Sequence, residues 1–346
     1  MGWAKKTVYK VVVQPKGLEY LCEAGETLLD AAQKAGIKMP VSCKNGVCYI
    51  CQAELVSGCI VDKRGREQST AEGGLSEAQT LSFYLCHSLP KQDCEIYLEN
   101  VYGPSELPMR NAKCQVQQVT EMRAHVYKVV LSQPAGRRVE FFAGQYLAIE
   151  MPGRESDAFF SIASAPGSRD IELHIQADPH LTSACEMIDY LRESSTISVK
   201  LPFGKSCLSQ VPDKAVMLLA AGTGFAQMKS LIEFLFMNHF EHEVALYWTL
   251  RKESDLYASE LLDKWSQQYP NFHYKAMVAE PSDELNTEHH SQLAQAVIDE
   301  HDSVVDKLVF ASGSPKLVFS TMDALAEAGL DANNFYSDVL EYATRD

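Results

Sequence analysis

The rhythm of apolar and polar positions changes twice along the chain. Thr7–Val13 is rich in β-branched residues, and Leu18–Cys22 follows at hairpin distance, so both are expected as strands. Glu26–Ala35 has helical spacing, with Leu28, Leu29, Ala32 and Ala35 on one face and Gly36 at the expected stop. Further on, alternating runs at Val126–Leu131, Gln145–Glu150 and Ile171–Ile175 predict strands, with one helix over Ser183–Arg192. This part of the chain is expected to form an antiparallel barrel. Beyond Pro212 the two patterns interleave. Strands over 215–220, 243–249 and 307–311 precede helices over 226–238, 255–267 and 315–328. Repeated strand-then-helix units predict a doubly wound parallel sheet.

Two seams separate these regions. Glu99–Met109 holds one Gly and two Pro without apolar periodicity and reads as a linker. A softer boundary lies at Cys207–Pro212. Three domains are therefore expected, over 1–103, 104–210 and 211–346, which suits a chain of 346 residues.

Composition narrows the class. With 46% hydrophobic and 22% charged residues the chain has material for real cores, and wholesale disorder is excluded. No apolar run approaches the ~18 residues of a membrane helix. The start of the chain has no apolar signal segment, so a cytoplasmic address without a membrane span is expected. The net charge of −15 sits mostly in residues 209–346, which hold 9 Lys and Arg against 22 Asp and Glu. Without a basic block, nucleic acid is not an expected partner.

Ten cysteines then need a reason, because a reducing compartment disfavours disulfides. Cys43-Lys-Asn-Gly-Val-Cys48-Tyr-Ile-Cys51 has the spacing C-x4-C-x2-C, and Cys86 follows after 34 residues. That is the plant-type [2Fe–2S] ligand spacing. Two ferric ions take four thiolates, three from a tight loop and one from a distant strand. Gly46 lets the loop curl and aim its amides at sulfur. A zinc site normally pairs two knuckles, and only one C-x2-C is present. Cys22, Cys59, Cys94, Cys114, Cys185 and Cys207 have no such spacing and are expected to pack as apolar residues.

On these cysteines the N-terminal third resembles the plant-type ferredoxin domain, with Tyr49 where that family usually has Gly. Farther along, Ala143-Gly-Gln-Tyr146, Ala158-Phe-Phe-Ser-Ile-Ala-Ser164 and Ile171-Glu-Leu-His-Ile175 occur in the order of the FAD domain of the ferredoxin–NADP reductase superfamily. The resemblance places Phe160 beside the isoalloxazine and the Ser161 hydroxyl on flavin N5, with Ile162 and His174 in the same flavin set. The family's Arg, which neutralises the flavin phosphate, is Ala158 here, with Arg154 four residues away. Ser183, at a helix start, matches a phosphate-binding Ser of the family.

The third region opens with Leu218-Leu-Ala-Ala-Gly222-Thr-Gly224-Phe-Ala-Gln227, a strand-to-helix turn suited to a pyrophosphate. Gln227 stands where the family has Pro. The resemblance gives Gly222, Thr223, Gly224 and Arg251 to the nicotinamide cofactor. It sets Ser312 and Gly313 beside the nicotinamide ring, with Ser161 and Ser312 as the catalytic pair. Phe335-Tyr-Ser-Asp338 resembles the family's C-terminal ending, with Asp338 as a cofactor residue and Phe335 or Tyr342 as the flavin shield.

The whole chain thus resembles a ferredoxin-fused flavin reductase. That group includes oxygenase reductase components and CDP-6-deoxy-glucoseen reductases. The implied cofactors are a [2Fe–2S] cluster, FAD and NADH or NADPH. The implied partner is an electron-accepting oxygenase, ferredoxin or sugar dehydratase. An NAD(P)H:free-flavin reductase with a redox-tuning cluster is the alternative, which the absence of an Arg at 158 favours.

Overall fold

A computed structural model describes residues 7–70, 81–136, 138–278 and 287–345, with the side chains of 287–291 left aside. The chain divides into two compact units, Met1–Pro108 and Met109–Asp346.

The first unit is built on a five-stranded mixed sheet. Val8–Gln14 pairs antiparallel with Leu18–Glu23 as the hairpin spacing predicts, and parallel with Cys94–Tyr97. Gln52–Ser57 and Leu81–Tyr84 complete it. Helix Leu28–Lys34 turns Leu28, Leu29, Ala31 and Ala32 inward, and Thr27 caps it by accepting from the Asp30 amide. This is the β-grasp arrangement. Cys22, Cys94 and Cys59 are buried, as their apolar settings predicted. So is Cys114 in the second unit, while Cys185 and Cys207 are half-buried.

The segment expected as a linker is not loose. Val101 is buried, and Tyr102 exchanges two backbone hydrogen bonds with Lys38, at 2.8 and 2.9 Å. Lys16 lies 4.8 Å over the Tyr102 ring and pairs with Glu106 at 2.6 Å. Burial of Val101 and the backbone bonds of half-buried Tyr102 thus hold residues 99–106 on the first unit.

The second unit carries two sheets. Six antiparallel strands run in the spatial order Ala158–Ser161, Tyr146–Glu150, Thr196–Phe203, Arg110–Glu121, Val126–Ser132 and Asp170–Gln176. A bridge from Ile162 to Leu173 joins the two outer strands and nearly closes the barrel. Helix Thr182–Glu193 packs Met187, Ile188 and Leu191 into it.

The other sheet is wholly parallel, in the order Phe272–Val278, Val244–Leu250, Val216–Ala221, Leu308–Ser312 and Phe335–Tyr336. Leu218, Ala220, Leu246 and Trp248 face helices Phe225–Met237 and Ser259–Gln268. Met217, Leu219, Ala245 and Tyr247 face helices Thr287–Glu300 and Pro315–Glu327. Burial on both faces explains why these strands read as unbroken apolar runs. The helix expected from 255 begins at Ser259, because Glu253–Asp255 forms a 3-10 turn first. Strand Phe272–Val278 and helix Thr287–Glu300 fill a stretch for which no element was expected.

Candidate functional site

In the first unit the chain curls tightly between Cys43 and Cys51. Lys44, Gly46 and Tyr49 all have positive φ, at 55°, 77° and 62°. A Cβ on Gly46 would stand 3.0 Å from the His87 ring, so both conformation and space require glycine there. This curl turns backbone amides toward sulfur. Hydrogen bonds from Asn45 first, then from Cys48 and Val47, bring the Cys43 thiol down to about 6, in the range of a thiolate at neutral pH. The Cys48 amide donates to Cys43 Sγ at 3.4 Å.

The fourth cysteine comes from the strand side. Cys86 Sγ lies 3.3 Å from Cys51 Sγ, and the Leu85 amide donates to the Cys51 carbonyl at 3.0 Å. Burial and the neighbouring Cys51 push Cys86 up to about 11, opposed by the Gly46 amide. The four thiols therefore stand as two pairs, Cys43 with Cys48 and Cys51 with Cys86. Two irons with two thiolates each require such a division, and amides aimed at sulfur suit a cluster that spreads negative charge. Among the described residues no group of three His, Cys, Asp or Glu gathers around one point as a single ion would need.

In the second unit a cavity of about 540 Å³ lies between the barrel and the parallel sheet. The barrel contributes Phe159, Phe160, Ser161 and His174. The parallel sheet contributes Gly222, Thr223, Gly224, Arg251, Ser312 and Gly313 from the C-terminal ends of three strands. Nine of the residues chosen from sequence for flavin and nicotinamide thus line one cavity, three from the barrel and six from the parallel sheet.

The two glycines of the turn serve different ends. Gly222 has φ +53°, and a Cβ there would meet nothing within 4 Å. Gly224 has ordinary helical backbone, but its Cβ would stand 2.4 Å from the Ser312 carbonyl oxygen. The first glycine frees the backbone and leaves open space over it; the second lets two strand-end turns touch. Trp248 Nε1 donates to the Gly222 carbonyl at 2.9 Å and stacks on Phe225 at 4.3 Å, fixing the turn from below.

His174 does not offer a free ring nitrogen. Nδ1 stands 3.1 Å from the Tyr257 hydroxyl and Nε2 2.8 Å from Glu172. Burial lowers His174 against the pull of Glu172, and burial raises Tyr257 well above its ordinary range. Neutral imidazole with Nε2–H donating to Glu172 and Nδ1 accepting from Tyr257 satisfies all three groups. Burial alone would raise Glu172; His174, Lys229 and Lys128 together hold it well below the usual carboxylate range. Lys229 and Lys128 stand 3.4 and 3.1 Å from it. His174 is thus a buried joint between the barrel and the segment carrying Tyr257, and it lines the cavity.

Three other chosen residues lie apart from the cavity wall. Ile162 is fully buried, its side chain in the barrel core. Ser183 sits in the first turn of its helix, and its carbonyl lies 3.5 Å from the Arg154 guanidinium. Arg154 also pairs with Glu186, so it is not a free cation for a phosphate. Lys200, on the strand beside Ala148, is likewise engaged by Asp157 and Glu150 at 2.9 Å each.

Asp338 is half-buried, and Gln227 Nε2 donates to its Oδ2 at 3.0 Å. Burial first, and then Glu341, push it up to about 7, opposed by hydrogen bonds from Ser206 and Gln227. Gln227, fully buried, also donates to the carbonyls of Gly144 and Ser206 at 2.9 and 3.2 Å. The polar side chain at the family's proline position therefore ties the nicotinamide-side helix to the barrel. Of the two shield candidates, Phe335 belongs to the parallel-sheet core and Tyr342 is exposed.

One aromatic was passed over in the sequence. Phe159 is 58% exposed, whereas Phe160 packs partly against the barrel core. Phe159 forms an edge-on group with Tyr146 and Phe203, at 5.8 and 5.7 Å. Strand alternation puts it on the face of Ser161, a signal available from the sequence.

Comparison with known proteins agrees with both halves of this picture. Residues 11–91 match the 2Fe-2S iron-sulfur cluster binding domain, and residues 218–322 match the oxidoreductase NAD-binding domain. The chain is 29% identical over 336 residues to the terephthalate 1,2-dioxygenase reductase component 1 of Comamonas, covering 96% of this chain and 97% of that one. It is 26% identical to the CDP-6-deoxy-L-threo-D-glycero-4-hexulose-3-dehydrase reductase of Yersinia pestis, covering 95% and 97%. The fold is shared with a cytochrome P450 reductase of Amycolatopsis, at a TM-score of 0.61, 22% identity and 95% and 98% coverage. No helix among the described residues is long and apolar enough to cross a membrane.

Proposed function

The chain belongs to the ferredoxin-fused reductases of the ferredoxin–NADP reductase superfamily and is an NAD(P)H oxidoreductase with FAD and a [2Fe–2S] cluster, and we propose that its electron acceptor is a separate oxygenase component or a CDP-hexulose dehydrase. The observation that carries the residue assignments is the single cavity onto which Phe160 and Ser161 open from one sheet and Gly222–Gly224 and Ser312–Gly313 from the other. The relatives named above serve acceptors of these two kinds, which is why the acceptor is placed there. The cytoplasm is the proposed compartment, since thiols such as Cys43 and Cys48 must stay reduced until iron is loaded.

When bound, the flavin exchanges two electrons with nicotinamide and single electrons with the cluster. The chain's own residues position these groups. Gly222 and Gly224 admit a pyrophosphate to the backbone of the turn, at the start of helix Phe225–Met237. Arg251, exposed at the end of its strand, is placed for the adenosine ribose or its phosphate. Ser312 and Gly313 border the nicotinamide, and the Ser161 hydroxyl orients the flavin at N5. The flavin domain runs from the end of the first unit at Pro108, rather than from 104, to residue 210, and 211–346 is the nicotinamide domain. Cys43, Cys48, Cys51 and Cys86 hold the cluster.

Anaerobic NADH added to protein loaded with FAD and iron should bleach the flavin and then the cluster, with one-electron reduction of cytochrome c. Activity on added free flavin alone would instead make the chain a free-flavin reductase. Ser161→Ala should slow flavin reduction in stopped flow while leaving NADH binding intact; a wild-type rate would remove Ser161 from its assigned role.

A further inference from the structure

The cluster loop carries a backbone feature that the ligand set does not require. Tyr49 lies between Cys48 and Cys51 with φ +62°. A bulky residue in the left-handed region is an outlier, and the conformation handicaps it by about 5- to 30-fold relative to glycine. Such strain persists where surrounding structure over-determines it. Burial does not retain the side chain, because Tyr49 is 64% exposed.

What its ring does touch is Tyr84. The two rings meet edge-on, with centroids 5.4 Å apart and planes at 69°. Tyr84 ends strand Leu81–Tyr84, two residues before Cys86. The backbone around this contact joins the same two segments: the Gln52 amide donates to the Tyr49 carbonyl at 3.0 Å, and Gln52 pairs with Tyr84 across the strands. The ring pair thus spans from the segment bearing Cys43, Cys48 and Cys51 to the segment bearing Cys86.

We propose that Tyr49 is a positioning residue for the iron–sulfur centre: its ring, held against Tyr84, clamps the three-cysteine loop to the strand end that presents the fourth cysteine. Glycine at 49 would relieve the strain and lose the clamp. An aromatic pair of this geometry is worth about 2- to 13-fold in an equilibrium, which offsets much of the backbone handicap. Backbone bonds of Gln52 and Leu85 also join the two segments, so the exposed ring contact adds to them and is separable from folding of the core.

The proposal rests on the four-cysteine assignment, and its test keeps the two apart. Full-length protein carrying its cluster is mixed with the iron chelator ferrozine, and loss of visible absorbance is timed. Four proteins form a cycle: wild type, Tyr49→Gly, Tyr84→Leu and the double variant. Tyr84→Leu should speed iron release by about 2- to 13-fold in the wild-type background and add nothing in the Tyr49→Gly background. Tyr49→Phe, which keeps the ring, should retain the wild-type release rate, cluster circular dichroism and reduction potential. Equal acceleration by Tyr84→Leu in the wild-type and Tyr49→Gly backgrounds would overturn the clamp, as would a Tyr49→Phe background in which Tyr84→Leu no longer speeds release. A wild type purified without any cluster would instead refute the ligand set.

Discussion

Replacing Gly224 by Ala tests whether the two strand-end turns must touch for the nicotinamide site to exist. The backbone at 224 is ordinary right-handed helix, with φ −56° and ψ −19°, so alanine has no conformational objection. The obstacle is steric. The new Cβ would stand 2.4 Å from the Ser312 carbonyl oxygen, 2.9 Å from its Oγ and 3.0 Å from its carbonyl carbon. Ordinary carbon–oxygen contact begins near 3.3 Å, so the turns must part by about 1 Å. Overpacking of this kind costs about 1–3 kcal/mol, which in a unit of this size lowers Tm by about 2–12 °C. A shift of about 1 Å at a positioning element costs up to about 100-fold in rate. We therefore expect Gly224→Ala to lower kcat/KM for NADH by 10- to 100-fold, with the visible spectrum of the cluster unchanged. Gly222→Ala supplies the contrast. There the Cβ meets nothing within 4 Å, and the cost is the left-handed φ of +53°, about 1–2 kcal/mol. Its effect should fall on the KM for NADH, because the methyl enters the space over the turn. Steady-state kinetics with anaerobic NADH titration and thermal melts separate the two. A Gly224→Ala protein with wild-type Tm and wild-type kcat/KM would show that the approach of Gly224 to Ser312 is not needed.

Three further outcomes are expected. Cys48→Ser should lose the cluster, read by iron content and visible absorbance, yet keep NADH-to-ferricyanide activity, because that reaction uses only the second unit. Ala158→Arg should tighten FAD by roughly 10- to 150-fold in equilibrium dialysis, from a charge-assisted contact worth about 1.5–3 kcal/mol, since Arg154 and Lys200 are already engaged by carboxylates; an unchanged affinity would mean another group serves the phosphate. Asp338, pushed from its ordinary 3.8 up to about 7, keeps its proton in the folded chain over a pH range where the unfolded chain has lost it. Stability of the second unit should therefore fall as pH rises from about 4 to about 7 and level off above, by up to ~4 kcal/mol across the window. Asp338→Asn should flatten that part of the Tm–pH curve, and a wild-type curve in the variant would assign the slope elsewhere.

How much of this was legible in the sequence depends on the distance over which each feature is specified. The cluster loop is local: Cys43, Cys48 and Cys51 with Gly46 between them dictate a curl whose amides face sulfur, and the spacing alone identifies it. The Gly222–Gly224 turn is also local, since an apolar strand, two glycines and a helix are consecutive. Alternation of period two with period 3.6 was enough to separate barrel from parallel sheet, because each face of a strand or helix must find its own cover. In the stretch 268–306 strand Phe272–Val278 went unread, although Phe272, Tyr274 and Ala276 alternate with exposed His273 and Lys275.

Tertiary structure decided the rest, for reasons that no local pattern holds. Cys86 was named by the spacing, but its meeting with Cys51 is made by strands that bring it in from 35 positions away. The residue just before the chosen aromatic proved the exposed one, because register with Tyr146 and Phe203 sets which face of Ala158–Ser161 looks outward. The resemblance put His174 in the flavin set, but Glu172 and Tyr257 occupy both its nitrogens. Asp338 lies 111 positions from Gln227, and its contact with that buried side chain, rather than the motif around it, fixes what the carboxyl does. Local chemistry chose the groups; which of them face a common cavity was settled by long-range packing, where each buried donor and acceptor must find its partner.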